Sequence, residues 1–241
     1  HVHRDKGFAS MAGSYRLVGG LGRLIEALVA DLPDDNLRLG MRVTHCQSDK
    51  GEMISTSVSD SGVSHKIESQ SVVLALPPRL AAERIEFGEA VQADQLGAMR
   101  AIPTWMAGHA KFVAVYETAF WREAGLSGDA MSHLGPLVEI HDASPVDESC
   151  FALFGFVGVP AEARNDEAAL KDAALVQLRD IFGRQAVKPK AVFYKNWAVA
   201  SDTAVKMDHQ ALRHHPHYGL SISLQTLCNG QLILGSTETA C

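Results

Sequence analysis

The run GQLILGSTETAC, Gly230 to Cys241, decides how the chain is organised. Leu232-Ile233-Leu234 reads as a strand, and it delivers a loop of small residues carrying one carboxylate, Glu238. A strand followed by Gly-Ser-Thr is one way of bringing backbone N–H groups up to a phosphate or a sugar. The stretch before it, ASDTAVKMDHQALRHHPHYG, is polar and irregular. A strand so isolated in sequence is expected to return to an earlier segment, which makes the fold discontinuous.

Working back along the chain, HAKFVAVYE, DAMSHL, PLVEIHD, CFALFGFVG and KAVFYKNW read as strands. Between the last two, Asp166-Glu167 open a helix carrying Leu170, Leu175, Leu178, Ile181 and Phe182 and stopping at Gly183. Acids at its start suit the helix dipole, and its apolar stripe must be buried against the sheet. The first third holds a helix over about three turns with Leu21, Leu24, Ile25, Leu28 and Leu32 at helical spacing. A β-meander follows, with DKGE and DSG as hairpin turns. Its last strand, Ser71–Leu76, is continuously apolar, which predicts burial on both faces.

With 241 residues, 46% hydrophobic and 21% charged, the composition is that of a globular protein of one large or two small domains. No apolar run reaches the roughly 18 residues of a membrane span. The net charge of −6 comes with no basic patch, which argues against nucleic acid. Cys46, Cys150, Cys228 and Cys241 are scattered and form no Cys-x-x-Cys, so they read as reduced thiols of a cytoplasmic protein. His209, His214, His215 and His217 cluster around Pro216 without metal-ligand spacing, and there is no Gly-x-Ser-x-Gly nucleophile elbow.

Four stretches in this order, LVGGLGRLIEAL, VVLALPP, HAKFVAVYETAFW with KNW, and LILGSTETA, resemble the flavin-containing amine oxidase family of monoamine and polyamine oxidases. The resemblance runs from Tyr15 onward. It implies an α+β fold with a mixed-sheet substrate domain, residues 83–199, flanked by helices. It also implies a partial FAD-binding domain of β-meander and helix, residues 1–82 and 200–241. The family's opening Rossmann βαβ with Gly-x-Gly-x-x-Gly has no match here. The chain therefore reads as the interior of such an oxidase, cut at both ends. The function implied is oxidative deamination of an amine with FAD and oxygen. The alternatives are a non-catalytic binding module that has lost FAD, and a fold completed by a separate polypeptide.

By resemblance Lys111 matches the lysine that holds a water beside flavin N5, where an ammonium stabilises developing charge. By itself it reads as a strand-edge lysine that deters pairing with another chain. Trp197 matches a tryptophan beside the isoalloxazine, or is a core aromatic at a strand end. Gly19, Gly20 and Gly22 match a glycine-rich approach to the cofactor. Val43 matches a position whose backbone meets the adenine, and Gly235 and Glu238 match the loop near the ribityl and phosphate groups. Glu238 otherwise reads as a solvated terminal residue. SDTAV, residues 201–205, lacks the aromatic that forms one wall of the family's amine cage. Without Rossmann neighbours, the strands at 71–76 and 232–234 would leave apolar faces and sheet edges bare, which predicts a two-fold dimer or a covering partner chain. The stretch His1–Ser14 is the next candidate for that cover.

Overall fold

The computed structural model describes residues 17–210, 212 and 214–240. The stretch His1–Ser14 therefore lies outside the described residues. In chain order the elements are helix α1 (Leu21–Ala30), strands β1 (Met41–Asp49), β2 (Glu52–Ser59), β3 (Ser64–Ser69) and β4 (Val72–Leu74), and helices α2 (Pro78–Arg84) and α3 (Ala93–Ala101). Then come β5 (Ala110–Tyr116), α4 (Phe120–Glu123), β6 (Ala130–Met131), β7 (Leu137–Asp142), β8 (Phe151–Val157), α5 (Glu167–Phe182), β9 (Ala191–Asn196), α6 (Ile222–Gln225) and β10 (Leu232–Leu234). The chain divides into two compact units, His1–Asp34 with His109–Asn196, and Asp35–Gly108 with Trp197–Cys241.

The first unit is built on a five-stranded antiparallel sheet, ordered β6-β7-β8-β5-β9. Burial alternates residue by residue along β5, so Ala110, Phe112, Ala114 and Tyr116 point into the core while Lys111, Val113 and Val115 lie on the other face. The buried side packs on α5 through Ala174, Leu178 and Phe182. Asp166 caps that helix by accepting from Ala169 N–H at 2.9 Å, and Gly183, with φ 114°, ends it. The helix and the strand runs expected to sit beneath it thus form one layered body. Buried Gln177 ties the two layers together, accepting from Leu137 N–H at 2.8 Å and donating to Leu137 C=O at 2.7 Å.

In the second unit β1, β2 and β3 form the expected meander. Its first turn places Lys50 and Gly51 at positive φ, 51° and 90°, the requirement of a tight hairpin. Gln70 and Ser71 break the pairing, and β4 leaves the meander to pair in parallel with β10, Val72 to Leu232 through Leu74 to Leu234. The C-terminal strand does return to the first part of the chain. The expectation of burial on both faces of Ser71–Leu76 is corrected: Leu74 is buried, but Val73 is 58% exposed, because β4 lies in a two-stranded sheet with only one face packed. That face joins Cys46, Met53, Phe87, Met99 and Leu227 in a second core.

Helix α1 has the predicted apolar stripe, yet none of its residues is buried; Leu21 is 71% and Ile25 58% exposed. Among the described residues no helix is long and apolar enough to cross a membrane.

Candidate functional site

Lys111 stands at the centre of β5, on the face of the sheet turned away from α5. Its neighbours in register are Phe156 on β8 and Lys195 on β9. The Nζ lies 5.9 Å from the ring centre of Phe154 and 5.5 Å from that of Phe156, and these two rings meet edge to face at 4.8 Å. A half-buried ammonium lying over two aromatic faces is held by cation–π attraction. Its setting is therefore richer than a plain strand edge.

His109, two residues earlier, meets Phe156 edge-on at 5.9 Å. Burial, with the nearby Arg164 and Lys111 charges, pushes its imidazole below the ordinary histidine range and favours the neutral ring. At the far end of the same face His141 bridges two carboxylates, Nδ1 to Asp129 at 2.9 Å and Nε2 to Glu139 at 2.7 Å. Burial opposes its charge, but the two acids outweigh that and raise its affinity for a proton.

In the second unit the strands β4 and β10 point their C-terminal ends the same way, the end at which open parallel sheets hold ligands. Gly235 follows β10 directly. Its N–H donates to Leu74 C=O at 3.0 Å, and a Cβ there would come within 2.9 Å of Val73 Cγ1. Thr237–Thr239 form a 3-10 turn that buries Glu238 to 7% exposure. Glu238 is thus no solvated terminal residue, and it has no ion pair among the described residues. Ser236 Oγ is buried without a hydrogen-bond partner. These features fit a polar ligand group: an orphaned hydroxyl and a buried carboxylate sit in one short loop, where a side chain at Gly235 would have to displace the Val73 methyl.

Around this loop the second unit holds polar residues that pattern reading did not single out. Arg79 and Asp208 form a buried ion pair at 2.6 Å. Tyr218 OH accepts from Trp105 N–H at 2.9 Å and donates to Pro103 C=O at 3.2 Å, which fixes the segment before β5. Burial raises the Tyr218 phenol, with Glu238 and Asp208 adding to the effect. The partners are over a hundred residues apart in the chain, so no local spacing could reveal them.

The remaining sequence-derived positions fall as follows. Gly19 and Gly20 take φ of 79° and 82° in the turn leading into α1, a conformation that favours glycine; Gly22 lies inside the helix and is exposed. Val43 is 37% exposed beside a register shift in β1. Trp197 opens a 3-10 turn at the end of β9. An ion pair of Arg42 with Asp202 at 2.8 Å links the Val43 strand to the segment after Trp197. The structure thus joins Gly235 and Glu238 in one loop, while Val43 and Trp197 stand on separate elements of that unit. Among the described residues no group of three or more potential ligands could hold a metal ion. His215 instead packs between Trp105, at 5.3 Å, and Tyr218, at 5.2 Å.

A parallel strand pair in one unit and a layered antiparallel sheet in the other define an α+β protein. Residues 2–217 match the family described as flavin containing amine oxidoreductase. The chain belongs to that family. It is 27% identical over 185 residues to "Probable flavin-containing monoamine oxidase A" of Dictyostelium discoideum, covering 76% of this chain and 39% of that protein. It is 26% identical over 190 residues to the L-amino acid dehydrogenase of a Synechocystis strain, covering 75% and 37%. A solved structure of wild-type putrescine oxidase bound to putrescine superposes with a TM-score of 0.70 at 21% identity, over 92% of this chain and 48% of that one. The chain therefore spans less than half the length of these relatives.

Proposed function

We propose that this chain forms the substrate side and part of the cofactor side of a flavin-dependent amine oxidase. The observation that carries the reading is the Gly235–Glu238 loop, with its orphaned Ser236 hydroxyl and buried Glu238 at the ends of two parallel strands. The chain's family is flavin-containing, which supports FAD as the group this loop would hold. Gly235, Glu238 and Ser236 would hold polar groups of FAD, with Val43, Trp197, Gly19 and Gly20 contributing as the family resemblance implies. FAD, when bound, supplies the two-electron acceptor for an amine's C–H hydride. Lys111 would hold a water at its ammonium, and Phe154 and Phe156 would keep bulk solvent off it. The relatives are named for monoamines, putrescine and L-amino acids, so membership leaves the amine open.

A second reading is a binding module without FAD. Titration of the isotope-labelled chain with FAD separates the two. We expect a colourless purified protein, weak FAD binding that moves the amides of Gly235 to Glu238, and amine oxidation only when a nucleotide-binding part is supplied. Stoichiometric yellow FAD would refute the incomplete cradle. Undisturbed loop amides at saturating FAD would sink the flavin reading and leave the module.

We further propose that a second copy of the chain covers the exposed Val73 and Ile233 of the β4–β10 pair. Light scattering at micromolar protein is expected to return twice the chain mass. A stable monomer contradicts it.

A further inference from the structure

His141 on β7 holds a carboxylate at each ring nitrogen, Asp129 on Nδ1 at 2.9 Å and Glu139 on Nε2 at 2.7 Å. A neutral imidazole has one N–H and one lone pair, so in either tautomer one of these contacts would set a lone pair against a carboxylate. Only the imidazolium donates to both. Burial of the ring opposes its charge, and the hydrogen bonds and charges of Glu139 and Asp129 outweigh that. The ring also stacks on Phe154 of β8, centre to centre at 6.4 Å and 17° from parallel. Lys111 approaches the same Phe154 ring, its Nζ 5.9 Å from the centre, while the adjoining Asp142 turns to Trp121 and Arg122. The charged groups facing His141 are thus Asp129, Glu139 and, by way of Phe154, Lys111.

Glu139 shares the strand of His141, but Asp129 belongs to the turn that carries β6, residues 127–136. Glycine pins that turn at both ends. Gly128 and Gly135 take φ of 87° and 88° and pack so closely that a Cβ would meet Trp121 and Asp142 at the first and Gln177 at the second. Between them the turn is tied to β7 by the two-residue β6 pairing, by Ser132 N–H donating to Val138 C=O at 3.0 Å, and by the Asp129–His141 contact. So short an edge strand makes few backbone bonds, and Met131 and Leu134, 57% and 79% exposed, add little burial. The edge is weakly held apart from its charged contact.

We propose that His141 is a proton-operated clasp on the edge of the sheet, a device independent of the oxidase reading. As the imidazolium it fastens the β6 turn to β7 through Asp129. On losing a proton it keeps its one N–H for Glu139, its neighbour on the same strand, and lets Asp129 and the turn go. A basic group whose proton affinity is raised by folding contributes stability that is fully present below its unfolded value, about 6.5, and is lost as pH rises through the folded value. The clasp is closed in mildly acidic solution and opens with rising pH.

The test uses the full isotope-labelled chain, with the His141 ring followed by NMR between about pH 5 and about pH 9. Amide exchange at β6 and Ser132 is measured over the same range and expressed as protection relative to an unstructured chain at each pH, so that the intrinsic pH dependence of exchange cancels. His141 is expected to titrate above about 6.5, and protection at Ser132 to fall at least about tenfold across that same midpoint. Asp129→Asn should lower the midpoint, and His141→Gln should remove the pH step and leave the turn open throughout. A His141 midpoint at or below the ordinary value, protection unchanged across it, or an undiminished step in His141→Gln would overturn the proposal. Should His141→Gln fail to fold, Asp129→Asn decides alone: a step that keeps its midpoint and size there overturns it.

Discussion

Asp208→Ala is expected to cost about 3–5 kcal/mol of stability, the effect of breaking one half of a buried ion pair. The Asp208 and Arg79 side chains are 1% and 9% exposed and meet at 2.6 Å. Asp208 Oδ1 accepts from Arg79 Nη1, and Oδ2 accepts from Val205 N–H at 3.0 Å. Arg79 Nε donates to Arg100 C=O at 2.8 Å, so the guanidinium also joins α2 to the end of α3. Alanine at 208 would leave a cation without its counter-charge and a backbone donor without an acceptor, both shielded from water. The backbone cannot easily shift to compensate, because Gly108 packs so closely on Asp208 C=O that a Cβ there would collide with it.

Urea unfolding followed by fluorescence would measure the loss, together with Arg79→Met and the double variant Arg79→Met/Asp208→Leu. The double variant should recover a large part of it, since removing both charges spares the lone-charge penalty. An Asp208→Ala chain within about 1 kcal/mol of the parent would show that water reaches the pair.

The contrast between this pair and the elements around it shows what a sequence can disclose. Helix α5 was legible because its cap, its stripe and its terminal glycine all lie within one run of residues. The meander was legible because its first turn demands glycine chemistry that stands in the sequence. The apolar run at Ser71–Leu76 predicts burial on both faces, and the structure packs only one. Hydrophobicity says that a strand has something to bury, not that a layer packs on both of its faces, and Val73 is left 58% exposed. Of the candidate site, the order of four stretches singles out Gly235, Glu238 and Lys111, while the contacts around them are set by the fold. Ser236 is one small hydroxyl in a small-residue loop, and only its burial without a partner distinguishes it. His141 becomes notable only once β7 is known to pair with β6 in the register that brings it to Asp129.

Trp121→Ala should be about as damaging, costing about 3–5 kcal/mol, because it removes a fully buried large aromatic. Trp121 closes the stretch HAKFVAVYETAFW, and its place is structural. Its ring packs edge-on against Phe120 at 5.0 Å and Tyr116 at 5.9 Å, at the end of the strand that carries Lys111. Gly128, at φ 87°, lies so close that a Cβ there would come within 2.9 Å of the indole nitrogen. The indole Nε1–H donates to Asp142 Oδ2 at 2.8 Å, where Arg122 Nε also donates at 2.7 Å. Burial works against the Asp142 charge, but hydrogen bonds from Arg122, Ser144 and Trp121 outweigh it and hold the carboxyl below the usual aspartate range.

A carboxyl depressed in the folded state contributes stability that is present above its unfolded value, about 3.9, and is lost as pH falls through the folded value. Trp121→Phe separates the two roles, since it keeps an aromatic body but removes the donor. We expect a smaller loss of about 1–3 kcal/mol near neutral pH. The Asp142 carboxyl, followed by carbon NMR through an acid titration, should then protonate at higher pH than in the parent chain. If Trp121→Ala and Trp121→Phe proved equally destabilising, the hydrogen bond rather than the ring would be what holds this corner. If the Asp142 titration did not move, Arg122 and Ser144 alone would account for its charge, and Trp121 would act on Lys111's strand through packing only.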